Sequence, residues 1–234
     1  MSARRSDRRD EARSDLGPLP GGHHGLSREQ VAESQRERLL AGVAHAVAEH
    51  GYRATTVAEI VKAASVSSRG FYENFDSKED CFLAAFDAVL AHLEGLIAAA
   101  VEPQPDWPRK VIAALRAALA FFAAEPDLAR LCLIEPITAS PSIATRFRAA
   151  VVSCIPYLQP GRAERTDASS LPESTEDSLL GGLIVLTARS LLAGEPSSLE
   201  DLLPDLVDFV LSPYLGPDEA KKLAAEVAVM DEGD

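Results

Sequence analysis

Three helix-start signals follow one another in the first third of the chain, and they restrict this stretch to short helices joined by tight turns. Thr56 and Glu59 are spaced for a capping box, in which a hydroxyl and a carboxylate satisfy each other's free backbone N–H groups. Ser67 suits the next helix start, and residues 77–80 suit a third. Because residues 65–67 leave only a short turn, a helix-turn-helix module is predicted, with helices over 57–64, 68–75 and 78–100.

One more helix is predicted before this stretch, preceded by a polar tail. Ser27 and Gln30 are spaced for another capping box, and Gly51 suits a left-handed cap at the far end, which places a helix over about 28–50. Residues 1–26 mix charged residues with Gly, Pro and Ser and hold almost no periodic apolar residues. Such a composition predicts a disordered tail.

Alanine and leucine dominate the remainder of the chain, and period-two alternation of β-branched residues is scarce, which predicts an all-helical protein. The polar segment 159–175 is predicted to be a long, mobile loop. The predicted helices beyond residue 100 cover 107–124, 126–136, 140–157, 174–193, 198–211 and 217–230.

Two of these helices carry more apolar residues than one buried face requires. They span 174–193 and 198–211, and Gly181 and Gly182 allow a neighbouring helix to approach the first of them closely. A four-helix interface between two subunits would use the surplus, so a homodimer through these helices is predicted. Deep burial inside one subunit is the alternative.

The net charge of −13 argues against a nucleic-acid partner for the chain as a whole, but the charge is unevenly distributed. Residues 1–80 hold 12 Lys and Arg against 13 Asp and Glu, a net of −1, whereas the remaining 154 residues hold 11 against 23, a net of −12. DNA binding needs a local basic face rather than a basic protein. The acidic body therefore restricts DNA contact to the N-terminal module.

Other function classes lack their sequence signals. The five histidines are scattered, and there is no nucleophile–base pair, phosphate loop or zinc-ligand spacing, so neither an enzyme nor a cofactor or metal is expected. No apolar run reaches the roughly 18 residues of a membrane helix, and the charged start is unlike a signal peptide. The cysteines Cys81, Cys132 and Cys154 lie in apolar helical patterns, which predicts buried thiols in a reducing cytoplasm.

The second helix of the helix-turn-helix has side chains suited to DNA. Ser67, Ser68 and Arg69 occupy its N-terminal turn, where short polar groups and a cation can reach base edges or phosphates. Tyr72 offers a hydroxyl to a phosphate. Lys78 adds a charge beside the free N–H groups of the next helix start.

Two adjoining motifs carry a family resemblance. From Thr56 the chain reads Thr-Val-x-x-Ile-x-x-x-Ala-x-Val-Ser and then x-x-x-Phe-Tyr-x-x-Phe-x-Ser-Lys-Glu. Over about residues 33–85 this resembles the DNA-binding domain of the tetracycline-repressor (TetR) family. The resemblance implies an all-α fold, with a helix-turn-helix DNA-binding domain over 27–80 and a larger ligand-binding and dimerisation domain over 81–234.

The resemblance also implies which residues meet DNA. Ser65 stands where the family often has glycine, so the turn is expected either to be slightly strained or to be held by a local hydrogen bond of Ser65. Asn74 stands where histidine or tyrosine is common, so an altered phosphate contact is expected. The positions that usually meet DNA in the family correspond here to Thr56, Ser68, Arg69, Phe71, Tyr72 and Lys78.

For the C-terminal domain the resemblance implies a ligand pocket between helices, lined mainly by apolar groups. It implies a repressor that binds a palindromic operator as a dimer and is released by a small, largely hydrophobic effector. A DNA-binding regulator without such a ligand is the alternative. Glu135, Thr138 and Arg189 are candidate polar anchors. The candidate lining residues are Phe86, Leu90, Trp107, Phe121, Phe122, Leu131, Ile134, Phe147 and Leu183.

Overall fold

The computed structural model describes residues 28–165, 171–193 and 196–231, and within these ranges every regular element is helical. The all-α prediction is confirmed. The predicted tail over 1–26 and the Ser27 cap lie outside the described residues. In chain order the α-helices are α1 (Arg28–His50), α2 (Val57–Ala64), α3 (Ser68–Tyr72), α4 (Lys78–Val101), α5 (Trp107–Ala124), α6 (Pro126–Leu133), α7 (Pro141–Ser153), α8 (Ile155–Leu158), α9 (Thr175–Ala193), α10 (Leu203–Leu215) and α11 (Pro217–Asp231). Short 3-10 turns lie at Glu135–Ile137, Gln159–Glu164 and Pro196–Leu202.

Helices α1 to α3 and the start of α4 share one small apolar core. Gly51 ends α1 as predicted, with a φ of +76° and its N–H donating to the Val47 carbonyl oxygen at 2.8 Å. Gly42 lets α2 pack closely on α1, because a Cβ at that position would lie 2.8 Å from the Cβ of Ala64. The fully buried side chains of this core are Leu39, Val43, Ile60, Phe71 and Phe82.

The helix starts at Thr56 and Ser67 are confirmed. The Thr56 hydroxyl accepts from the Glu59 N–H at 3.3 Å, and the Thr56 N–H donates to the Glu59 carboxylate at 2.6 Å. These hydrogen bonds to Thr56 lower the pKa of Glu59. The Ser67 hydroxyl accepts from the Gly70 N–H at 3.0 Å. Local side-chain chemistry therefore sets where α2 and α3 begin.

The turn between α2 and α3 is strained at Ser65, as expected. Ser65 has φ 52° and ψ 43°, and it is the only non-glycine residue of the described ranges with a positive φ. A side chain in this left-handed region costs about 1–2 kcal/mol relative to glycine. The Ser65 carbonyl accepts from Nη1 of Arg38 at 3.1 Å, which ties the turn to α1.

Helix α3 is shorter than predicted, because it ends at Tyr72 rather than at residue 75. The side-chain amide of Asn74 donates to the Gly70 carbonyl oxygen at 2.8 Å. Asparagine competes in this way with backbone donors and favours the end of a helix.

Three of the predicted helices are each divided near a proline: 126–136, 140–157 and 198–211. α6 is followed by the proline-containing turn Glu135–Ile137. α7 and α8 are separated at Cys154, two residues before Pro156. The helix predicted over 198–211 begins as a 3-10 turn, and Pro204 lies in the first turn of α10, which follows it. Proline lacks a backbone donor and disfavours helical geometry in the residue before it.

Helix α4 runs without a break from the N-terminal core into the C-terminal body. The predicted domain division at residues 80 and 81 falls in its first turn, so this division remains a prediction. By length and composition α4 is the one described helix that could cross a membrane. A single such helix is weak evidence for a membrane span, and Phe82, Phe86 and Val89 of α4 are buried in the protein core.

The segment predicted as a mobile loop over 159–175 is anchored on both sides of residues 166–170, which lie outside the described residues. Nε and Nη2 of Arg162 each lie 2.7 Å from an oxygen of Glu176 at the start of α9. Tyr214 of α10 donates to the same carboxylate at 3.2 Å. Glu176 is 2% exposed and Arg162 is partly exposed, so for the described residues the loop prediction is corrected to a segment held by a hydrogen-bonded ion pair whose carboxylate is buried.

Replacing Arg162 by methionine should lower the thermal unfolding midpoint by several degrees, because Glu176 would remain buried without its cation. The control is Arg109→Met, which removes the exposed ion pair to Asp106 and should leave the midpoint nearly unchanged. Circular dichroism melts measure both variants. Equal midpoints for R162M and R109M would contradict this role of the pair.

The sign of the pH dependence follows from the same pair. Arg162 lowers the pKa of Glu176 below its ordinary value of 4.5. The stabilisation is therefore complete above that value and is lost as the pH falls through the lower pKa of the folded state. The difference in midpoint between wild type and R162M should be largest near neutral pH and should shrink in acid.

Candidate nucleic-acid interface and central cavity

The exposed surface of α3 carries most of the predicted DNA contacts. Ser67, Ser68 and Arg69 are exposed at its start, and Tyr72 is exposed at its end. The Arg69 side chain is 88% exposed and Tyr72 is 60% exposed. Hydroxyl groups, a guanidinium and a phenol thus lie within about one helical turn. These donors match phosphate oxygens and base edges.

Arg69 forms an ion pair on the protein surface but remains available to DNA. Its Nε lies 2.8 Å from Oε1 of Glu73, one helical turn along the chain. An exposed pair of this kind contributes at most about 1 kcal/mol. A phosphate or a guanine edge could therefore replace the Glu73 carboxylate at low cost.

Phe71 is a core residue, which contradicts its prediction as a DNA contact. Its side chain is fully buried, and its ring centroid lies 5.3 Å from that of Tyr72 and 5.9 Å from that of Phe75. A helix that packs on a core must turn one stripe of residues inward, and Phe71 lies on that stripe.

Lys78 is turned into the protein rather than toward DNA. Its Nζ donates to the carbonyl oxygens of Tyr52 and Thr55, each at 2.7 Å, and lies 4.3 Å from the Tyr52 ring centroid. Burial lowers the pKa of Lys78. The prediction of a direct DNA contact is therefore corrected: this ammonium group holds the turn that leads into α2.

Gly70, Asn74 and Thr56 each have a local structural role in the helix-turn-helix. A Cβ at Gly70 would lie 2.8 Å from Cγ1 of Val66, so glycine lets α3 fold back on the turn before it. The Asn74 amide is occupied by the Gly70 carbonyl oxygen. Thr56, which stays a predicted DNA contact, is exposed, and its hydroxyl also donates to Glu59 at 3.0 Å.

A cavity of about 200 Å³, partly open to solvent and called the central cavity below, lies in the C-terminal body between α4 to α7, α9 and α10. Five predicted lining residues do line it: Phe86, Leu90, Phe122, Phe147 and Leu183. Further lining residues on α5, α6 and α7, and on α9 beside Leu183, were not predicted, because nothing in their local pattern separates a cavity wall from ordinary core. These further lining residues include Leu115, Ala118, Cys132, Val151, Ile184 and Thr187.

The wall of the central cavity is almost entirely hydrocarbon. Thr187 supplies the hydroxyl, which already donates to the Leu183 carbonyl oxygen at 2.8 Å. Burial raises the pKa of Cys132 to about 12, so its thiol is neutral. Cys154, predicted to be buried, is exposed and also lines the cavity. No charged side chain lines this cavity, and the described residues contain no group of three or more His, Cys, Asp or Glu that could hold a metal ion.

Four predicted lining residues lie elsewhere: Trp107, Phe121, Leu131 and Ile134. Phe121 lines a second cavity of about 240 Å³ between α1 and helices α4 to α6. The Trp107 ring packs edge-on against Tyr214, with centroids 5.1 Å apart. Leu131 is fully buried and Ile134 is partly buried in the general core. Adjacent residues of a helix point in different directions, which apolar character alone cannot resolve.

The candidate polar anchors do not line the cavity either. Oε2 of Glu135 accepts from the Tyr52 N–H at 2.8 Å, and the Thr138 carbonyl oxygen accepts from Nε of Arg53 at 3.0 Å. Arg189 is exposed on α9. Glu135 and Thr138 therefore join the C-terminal body to the N-terminal module.

Large apolar side chains stand exposed on the outer face of α9 and α10. Val185 and Leu192 on α9 are 63% and 61% exposed, and Phe209 on α10 is 38% exposed. The Phe209 ring lies over Gly182, where a Cβ would come within 2.5 Å of the ring. We call Val185, Leu192 and Phe209 the α9–α10 face. Clustered exposed apolar groups of this kind are typical of contact surfaces.

Comparison with known proteins connects these features to one family. Residues 39–85 match the family model described as "Bacterial regulatory proteins, tetR family". The HTH-type transcriptional activator FasR of Mycolicibacterium smegmatis is 24% identical over 152 residues, which are 65% of this chain and 67% of FasR.

Solved structures share the fold over about three quarters or more of this chain. The fatty acid degradation regulator FadR from Bacillus halodurans has a TM-score of 0.68 at 18% identity and matches 76% of this chain and 94% of its own. The transcriptional regulator FadR from Bacillus subtilis, in complex with stearoyl-CoA, has a TM-score of 0.52 at 14% identity and matches 80% of this chain and 96% of its own. The helix-turn-helix module of this chain therefore matches the DNA-binding module of the tetR family of bacterial regulatory proteins, and the fold of the described residues is that of solved transcriptional regulators.

Proposed function

We propose that this chain is a cytoplasmic, ligand-responsive repressor that binds a palindromic operator as a homodimer and is released by a small, largely hydrophobic ligand. The apolar central cavity in the body of a DNA-binding protein carries this proposal. The cavity wall offers no charge and no unsatisfied polar group to a ligand, so the recognised part is a hydrocarbon group.

The size of the cavity limits the ligand. About 200 Å³ is small beside the roughly 300–1,000 Å³ of pockets for drug-sized ligands. A short or branched apolar group fits within the cavity, while a long acyl chain would extend beyond it or need neighbouring helices to move. The name of the Bacillus subtilis FadR complex, with stearoyl-CoA, supports an acyl group as the first ligand to test.

Helix α9 provides the physical link between ligand and dimer. Its inner side, including Leu183 and Thr187, lines the central cavity, and its outer side carries Val185 and Leu192. A ligand that shifts α9 would therefore change the packing of two subunits through the α9–α10 face. Dimeric helix-turn-helix proteins need their recognition helices about 34 Å apart to reach successive major grooves, so a small change in subunit packing releases DNA.

Two alternatives have different readouts. The name of FasR, a transcriptional activator, favours activation as the second mode of action. A reporter gene placed behind the operator separates the two modes by the sign of its response. The other alternative is a regulator without a small-molecule ligand. In that case no apolar probe should bind in the central cavity.

Arg69→Ala and Tyr72→Phe should each weaken operator binding by about tenfold, because each removes a donor for DNA. The operator is first selected from random duplex DNA by the wild-type protein, and affinity is measured by fluorescence anisotropy at several salt concentrations. The control is Lys222→Ala, which removes an exposed cation paired with Glu219 on α11. Wild-type affinity in both R69A and Y72F would refute the α3 interface.

Ala118→Trp should weaken stearoyl-CoA binding by about tenfold or more, because the indole would occupy the central cavity. Titration calorimetry measures the affinity. Ala91→Trp places the same side chain on the exposed side of α4 and serves as the control. Equal affinity in A118W and A91W would place the acyl group elsewhere.

Val185→Asp should convert the dimer to a monomer and reduce operator affinity, because a charge would be buried in the α9–α10 face. Sedimentation velocity measures the oligomeric state. The matched control is Val229→Asp on α11, at a valine that is 72% exposed. A V185D protein that sediments as wild type would contradict this interface.

A further inference from the structure

A pair of hydrogen bonds clasps the C-terminal body to the turn between α1 and α2. Glu135 is 8% exposed, and its Oε2 accepts from the Tyr52 N–H at 2.8 Å. Close by, the Thr138 carbonyl oxygen accepts from Nε of Arg53 at 3.0 Å. The body side of this clasp belongs to the short stretch between α6 and α7, and the other side leads directly to Thr56, where α2 begins.

The backbone at Tyr52 is held from both directions. Glu135 binds its N–H, while Nζ of Lys78 binds its carbonyl oxygen at 2.7 Å. The Tyr52 ring is 7% exposed and packs edge-on against Phe82, with centroids 5.2 Å apart. The Glu135 carboxylate lies close to Gly51, where a Cβ would make an ordinary contact at 3.8 Å with Oε2, so the left-handed φ of +76° rather than lack of space favours glycine there. The entry to the helix-turn-helix is therefore fixed by one group from the body and one from α4.

A second cavity lies beside the packed junction between α1 and the C-terminal body. The second cavity, of about 240 Å³, separates Leu40 and Ala41 of α1 from Leu128 of α6. Side chains that face a void lose their dispersion contacts on that side. Beside this cavity, Nδ1 of His45 on α1 lies 3.0 Å from Oδ2 of Asp127 on α6, an exposed pair of a kind that contributes little.

The clasp is also close in sequence to residues that line the central cavity. Cys132 and Leu133, at the end of α6, line that cavity, and Glu135 comes two residues later. A group that enters the cavity and displaces the end of α6 must therefore displace the Glu135 carboxylate, which has little freedom because it is buried.

We propose that Glu135 is a positioning residue for DNA binding, which holds the helix-turn-helix in its operator-binding orientation and carries the state of the central cavity to it. The second part of this inference rests on the proposed function. Glu135 would act through its buried carboxylate, which accepts the backbone N–H of Tyr52 across the junction between body and helix-turn-helix.

The first test compares Glu135→Leu with Glu135→Gln on the selected operator. The leucine variant has no acceptor for the Tyr52 N–H, so operator affinity should fall about tenfold. The glutamine variant keeps an acceptor oxygen and should stay within about twofold of wild type. Thermal melts and sedimentation confirm that each variant is folded and dimerises as wild type does. Should E135L fail to fold, Glu135→Asp, whose shorter side chain withdraws the carboxylate, takes its place.

The second test is a double-mutant cycle between the clasp and the central cavity. A118W fills the cavity without any ligand and should weaken operator binding about tenfold in the wild-type background. In the E135L background the same substitution should change affinity by less than about twofold, because the link is already broken. A general loss of stability would instead make the two effects additive.

The outcomes separate this inference from the proposed ligand response. Wild-type operator affinity in E135L, or equal losses in E135L and E135Q, would overturn the positioning role. Additive effects in the cycle, or no effect of A118W in the wild-type background, would overturn the transmission. If wild type does not bind stearoyl-CoA, the proposed ligand is contradicted. The comparison of E135L with E135Q and the double-mutant cycle still test the role of Glu135, because both measure operator affinity without a ligand.

Discussion

The burial of one face of α4 holds the two parts of this protein together. Phe82 lies in the core of the N-terminal module, whereas Phe86 and Leu90, one and two turns further on, line the central cavity. An unbroken helix is a stiff element, so the DNA-binding surface and the cavity belong to one mechanical unit. A neighbouring side of the same helix lines the second cavity, beside the junction with α1.

Two buried carboxylates fix the relative positions of segments that apolar packing alone does not orient. Glu176 fixes the start of α9 through Arg162 and Tyr214, and Glu135 fixes the entry to α2 through the Tyr52 N–H. Each joins segments far apart in the chain, and each would be costly to leave without its partner. The polar interactions thus set orientations, while the hydrocarbon groups supply the bulk of the stabilisation.

Local sequence signals predicted the N-terminal module well. The caps at Thr56 and Ser67 and the turn at Ser65 depend on residues within a few positions, so their chemistry can be read from the chain. Prediction was weaker in the body, where α7 and α8 break at Cys154 and the 159–175 segment is anchored. Those features depend on partners that are distant in sequence.

By itself the sequence determined the helical class, the helix-turn-helix and its family, because caps, turn and apolar periodicity are local properties of the backbone. Only the tertiary structure decided what each side chain faces. It turned Phe71 and Lys78 inward, moved Trp107 and Phe121 away from the central cavity, and placed Glu135 against Tyr52. Helical periodicity defines which residues share a face, but the packing of other helices determines whether that face meets core, cavity, water or a partner.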